Sequence, residues 1–180
     1  AEEIGARLEP VVYNGAGKVF ADAGADVWDV GFLAIDAMRA EKISYTVPYI
    51  SIEATFAVRA SSDITRIEQV DVAGRTVLTA SGSAYDMYLK ETLMNATLER
   101  FGTPPESFAE FQRGRCDAVA GVRQSLEGAF ANDPDVRILS GVLTAVHQAM
   151  VLPRKDDPRI AALNDFVERA IADGFVASHS

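Results

Sequence analysis

Between residues 28 and 58 an apolar strand pattern, an arginine and an aromatic-proline turn follow one another directly, and this order restricts the fold more than any other stretch. Residues 28–34 carry few polar positions, as a strand buried on both faces requires. Residues 55–59 read as an extended segment entering a new unit, which opens on Ser61-Ser62-Asp63-Ile64, small polar residues that favour a turn or cap. From there strand-like and helix-like patterns alternate, which predicts α/β layers rather than an all-helical or all-β domain. The spacing predicts a turn and strand over 70–79, a helix over 83–95 and a strand over 96–100. It continues with a helix over 104–113 closed by Gly114, a strand over 116–121, an extended crossing over 142–152 and a helix over 160–172 stopped by Gly174. Before residue 28, residues 1–8 read as the end of an amphipathic helix, 8–13 as a strand and 17–25 as a short helix.

The chain has 180 residues, 48% hydrophobic and 24% charged, enough for one large domain or two small lobes. A net charge of −9 argues against a nucleic-acid or anionic-membrane partner, because phosphates would be repelled rather than neutralised. The single cysteine, Cys116, excludes an internal disulfide and reads as a small buried hydrophobe. No apolar run approaches the roughly 20 residues a membrane span needs, and no signal-peptide pattern opens the sequence, so export would imply a leader already removed.

The apolar strand, Asp29-Val30-Gly31-Phe32 with Ala34-Ile35-Asp36, then Arg39, then Tyr45-Thr46-Val47-Pro48-Tyr49, resembles the core of the bacterial extracellular solute-binding proteins of family 3. Those proteins capture amino acids and related small acids for ABC importers. The resemblance runs nearly end to end and implies a two-lobed α/β fold of the periplasmic-binding-protein type II, each lobe a sheet flanked by helices. With the two predicted crossings as hinge strands, lobe 1 comprises residues 1–56 and 150–180, and lobe 2 residues 57–149. Family members open with a further strand, a loop bearing a ligand-stacking aromatic and a helix start, none of which precedes Ala1. Loss of that central strand would leave unpaired backbone groups, costing on the order of 1–3 kcal/mol each if buried. Three outcomes are expected to meet that cost: a homo-oligomer in which another chain completes the lobe, a rearranged segment, or a longer native protein.

The resemblance also assigns a binding site. Arg39 matches the arginine that grips the ligand carboxylate, a role its planar fork of donors suits and a lysine's point charge does not; from spacing alone it reads equally as a surface arginine. Phe32 and Ala34 stand where relatives carry hydroxyl side chains, so only main-chain contacts are expected there. The loop Ser81-Gly82-Ser83-Ala84, with Tyr85 following, joins a strand to a helix start, where free N–H groups and the helix dipole attract an anion. Ser83 also reads as a simple N-cap. Val122 and Arg123 replace the acid that receives a ligand ammonium in amino-acid binders, and this favours a carboxylate, a dicarboxylate or an atypically held amino acid. Arg123 either faces such a second acid or points to solvent.

Asn14-Gly15-Ala16-Gly17-Lys18 superficially looks like a phosphate loop, but Val12 and Val19 stand where that loop needs Gly and Ser or Thr. It reads as a turn and helix start. His147 and His179 lack partners at metal-ligand spacing, and no nucleophile elbow occurs. The expectation is therefore a periplasmic, non-enzymatic solute-binding protein needing no cofactor or metal, whose partners are a small carboxylate or amino-acid-like ligand and a membrane ABC permease. The alternatives are a cyclohexadienyl- or arogenate-dehydratase-like enzyme on the same fold, with Glu53 or Asp36 as general acid, and a ligand-sensing domain.

Overall fold

The computed structural model describes residues 5–178. Its spine is β2, Ser44–Arg59, a long strand whose N-terminal half pairs antiparallel with β7, Thr144–Leu152, and whose C-terminal half pairs with β5, Ala118–Val122, and β6, Val136–Ile138. The register of β2 on β7 shifts on both sides of Pro48, where a residue without an N–H cannot complete the ladder. Beyond β7 lies β1, Gly31–Ala34; beyond β5 lie β3, Thr76–Thr79, and β4, Thr97–Arg100. The sheet order is β1-β7-β2-β5-β3-β4, and β4, β3 and β5 are mutually parallel.

Side-chain alternation along these strands fills two cores. Phe56, Val58, Val77, Ala118 and Ala120 point to one face with Ile64, Leu89 and Leu139. The intervening Ala57, Leu78 and Val119 point to the other with Phe108, Phe111, Leu126 and Phe130. Leu89 belongs to α3, Ala84–Thr92; the two phenylalanines at 108 and 111 belong to α4, Pro104–Gln112; Leu126 belongs to α5, Arg123–Ala129. The parallel strands are thus buried on both sides, which explains their near-continuous apolar character. A third cluster packs Trp28, Leu33, Ile43 and Val151 against α1, Ala16–Ala21, with Trp28 Nε1 donating to Val19 O at 3.1 Å. The chain closes with α6, Ile160–Ala172, and α7, Phe175–Ser178.

Several expectations change. Residues 5–8 are not helical and 8–13 pair with no described strand, so apolar alternation there has no ladder to complete; residues 1–4 lie outside the described residues. The strand expected over 28–34 is confined to Gly31–Ala34, because Trp28 turns inward to α1 instead of extending the ladder. Arg39 sits in a one-turn helix, α2, Ala37–Ala40, whose N-cap Asp36 accepts from Arg39 N at 3.0 Å. His179 lies outside the described residues, among which no group of His, Cys, Asp and Glu could hold a metal ion.

Candidate ligand pocket

In a parallel sheet the carboxyl ends of the strands, with their βα turns, form the natural site for a ligand. Here a pocket of about 380 Å³ lies at the carboxyl ends of β3, β4 and β5. Ser81, Ser83, Ala84 and Tyr85 line it from the β3–α3 turn, Gly102, Thr103, Pro104 and Glu106 from the β4–α4 turn, and Val122 with Ser125 from the β5–α5 junction. The opposing wall comes from Phe32, Leu33 and Ala34 of β1, Val146 and Gln148 of β7, and Gly15 to Lys18 at the start of α1.

The turns are tied to one another. Ser83 Oγ accepts from Asp86 N at 3.1 Å as the N-cap of α3 and donates to Ala80 O, while Ser81 N donates to Gly102 O at 3.0 Å. Gly82, at φ +70°, donates its N–H to Asp86 Oδ2 at 2.9 Å, and Asp86 is paired with Arg100 at 2.8 Å. An internal carboxylate therefore already occupies part of the expected anion loop. A ligand anion would meet the first-turn N–H groups, which have no partner within any helix. The opposing wall approaches closely: a Cβ on Gly17 would stand 3.1 Å from Ser81 O, so glycine is what lets α1 reach the β3–α3 turn.

Arg39 is 2% exposed and is not a lining residue. Its guanidinium donates to Ala34 O at 3.3 Å and to Gly82 O, one carbonyl from each wall, and lies 5.9 Å from the Phe20 ring centre. Tyr45 Oη shares the Ala34 carbonyl at 2.9 Å, and burial raises its pKa against the opposing pull of the Arg39 charge. Phe32 projects from β1, 60% exposed, with its ring edge-on to Tyr49. Tyr85 is buried, its hydroxyl has no hydrogen-bond partner among the described residues, and burial pushes its phenol up to about 12. The neighbouring Ser83 Oγ, already donating and accepting elsewhere, makes no bond to it.

Arg123 is not brought to the pocket, nor does it point freely to solvent. It donates to Glu53 Oε2 at 2.9 Å and to the carbonyls of Leu139, Ser140 and Gly141 at 3.0–3.2 Å, stapling the chain between β6 and β7 to β2. Glu53, held in this staple, and Asp36, spent on the α2 cap, are not pocket acids. Sequence reading therefore brings Phe32, Ala34, Ser81, Ser83, Ala84, Tyr85 and Val122 together and leaves Arg39, Gly82 and Arg123 outside the lining. It missed residues 15–18 and the β4–α4 turn. The signal for the second was present: Thr103-Pro-Pro-Glu106 is a capping-box pattern directly after a strand.

No family model and no curated protein sequence matches this chain. Solved structures do. Holo ArgBP from T. maritima is 25% identical, with a TM-score of 0.78 over 96% of this chain and 75% of that one. A substrate-binding protein of an amino acid ABC transporter is 16% identical, with a TM-score of 0.82 over 98% and 80%. The cysteine-binding protein from Campylobacter jejuni is 19% identical, with a TM-score of 0.76 over 91% and 66%. The chain has the periplasmic-binding-protein fold that the resemblance in residues 28–58 implied, and these neighbours are described as binding proteins.

Proposed function

We propose that this protein is the periplasmic solute-binding component of an ABC importer, taking a small carboxylate or amino-acid-like ligand in the pocket between β1, β7 and α1 on one side and the three βα turns on the other. The observation that carries this reading is Arg39, whose guanidinium joins Ala34 O on the first wall to Gly82 O on the second. In this reading residues 1–56 with 150–180 form one lobe and 57–149 the other, with β2 and β7 as the hinge strands. A ligand carboxylate displaces Gly82 O from Arg39 and meets the first turn of α3, exchanging one charge-assisted hydrogen bond for a bidentate pair. Closure of the lobes on the ligand is the whole mechanism, and the closed form is what a permease recognises. The solved neighbours, ArgBP and a cysteine-binding protein among them, support a binding role for this fold.

Native mass spectrometry of the purified protein tests this reading. A retained mass of a few hundred daltons or less, lost in Arg39→Ala, is the expected result. An empty protein to which no amino acid or small carboxylate can be added back would refute it.

A further inference from the structure

The stretch Asn14-Gly15-Ala16-Gly17-Lys18, which is no phosphate loop, is where one pocket wall touches the other. The contact is backbone against backbone. A Cβ on Gly17 would stand 3.1 Å from Ser81 O and 3.7 Å from Gly82 Cα, and a Cβ on Gly82 would stand 3.5 Å from Gly17 Cα. The two glycines therefore face one another across the pocket with no side chain between them. Two positions earlier, a Cβ on Gly15 would stand 3.3 Å from Thr103 Cγ2 and 3.8 Å from Pro104 Cδ. Through its glycines the start of α1 thus reaches both the β3–α3 and the β4–α4 turn.

The seam is rigid on both sides. The peptide joining Ser81 to Gly82 is trans, so its C=O points opposite to its N–H. Asp86 Oδ2 holds that N–H at 2.9 Å, which aims Ser81 O towards α1. Ser81 N donates to Gly102 O at 3.0 Å and Gly82 O accepts from Arg39, so the turn is pinned on three sides. On the other wall Tyr13 Oη donates to Asp22 Oδ2 at 2.8 Å across α1, and Ala16, Val19 and Phe20 pack on the cluster of Trp28, Leu33, Ile43 and Val151. We propose that Gly15 and Gly17 are a closure stop: they set how near the two walls approach, and so how tightly a solute is held, while offering it no side chain. This rests on the solute-binding reading above, in which the walls move. A single methyl at position 17 must hold the walls apart by a few tenths of an ångström, because the pinned Ser81 carbonyl cannot retreat. The loosened closed state releases its solute faster. A methyl at position 15 meets a side-chain methyl at a longer distance and matters less.

The test compares the native chain with Gly17→Ala, Gly15→Ala and Gly128→Ala. Gly128 is a glycine of α5 with nothing within 4 Å of a Cβ, so G128A reports the loss of a glycine alone. The probe is whichever of the proteinogenic amino acids, succinate and glutarate binds the native chain most tightly in titration calorimetry. G17A is expected to bind it about ten-fold more weakly, G15A about two- to five-fold more weakly, and G128A as the native chain does. Small-angle scattering should show the native chain and G128A contracting at saturating probe, and G17A contracting less. Melting without the probe separates this role from damage to the fold. Gly17 lies within α1 at a φ that is not positive, where alanine favours the helix, so probe-free G17A should melt at or above the native temperature. A G17A that melts well below it, or that binds and contracts as the native chain does, would overturn the closure stop and leave the solute-binding reading standing. Binding by the native chain without contraction would overturn the stop as well. A native chain that binds no member of the panel would instead sink the solute-binding reading, and this inference with it.

Discussion

At the scale of single residues, Arg39 shows what a sequence can and cannot announce. Its position after an apolar strand marked it, but the partners that decide its role, Ala34 O and Gly82 O, come from opposite pocket walls, the second of them 43 positions away. Arg39→Lys keeps the charge and loses the fork, so it cannot hold two carbonyls or clasp a carboxylate. Ligand affinity is expected to fall roughly 10- to 100-fold by titration calorimetry, the equivalent of about 1.5–3 kcal/mol for a charge-assisted bond. Asp157 carries a pH signature of its own. Hydrogen bonds from the Arg159 side chain, then its backbone N–H, hold the Asp157 carboxyl down at about 2, against an ordinary 3.8. Because the folded-state value is depressed, the ionised carboxylate stabilises the fold at every pH above 3.8, and that contribution is lost as pH falls through about 2. The melting temperature of the native chain should therefore drop more steeply between pH 4 and 2 than that of Asp157→Asn; parallel curves would contradict the assignment.

At the scale of elements, legibility followed periodicity and punctuation. The helix expected over 160–172 is α6 to the residue, since a clean apolar stripe is ended by Gly174 in the left-handed conformation at φ +80°. The strand after Pro48 was legible in its latter half because residues 54–58 are all buried, whereas β6 is three partly buried residues with nothing local to mark it. α5 escaped notice because its cap residue, Val122, makes no side-chain capping bond and the helix begins where a strand ends. The candidate site divides in the same way. The β3–α3 turn was found from its small residues, while the β4–α4 turn and α1 became visible only once the parallel order brought strand ends together. Packing at these strand ends is tight. A Cβ at Gly121 would meet Phe108 Cζ at 2.8 Å and Leu126 Cδ2 at 3.0 Å, both in a close-packed core. Gly121→Ala is expected to cost about 1–3 kcal/mol, read as a lowered denaturation midpoint at unchanged slope.

At the scale of the whole molecule, β2 and β7 are the long connections that any relative motion of the pocket walls must pass through. Thr55 on β2 donates within 3.0 Å of Leu139 O and 2.8 Å of Gly141 O, and Arg123 grips the same stretch, so the approach to β7 is pinned at its start. Thr55→Val leaves both carbonyls to Arg123 alone, and a loss of about 1–3 kcal/mol is expected in denaturant titration. If the walls close as proposed, small-angle scattering should record a smaller radius of gyration on adding the retained ligand. An unchanged radius would mean that the pocket is filled without motion. Cys116 bears on how such motion could be watched. Buried just before β5 in the core with Phe108 and Phe111, its thiol pushed up to about 11 by desolvation and the Glu99 carboxylate, it stays protonated at neutral pH. The single thiol of the chain is thus expected to react slowly with maleimides, and a thiol placed at exposed Ser125 on the pocket rim would take a fluorophore in preference to it, turning the native scaffold into an optical reporter of its own solute.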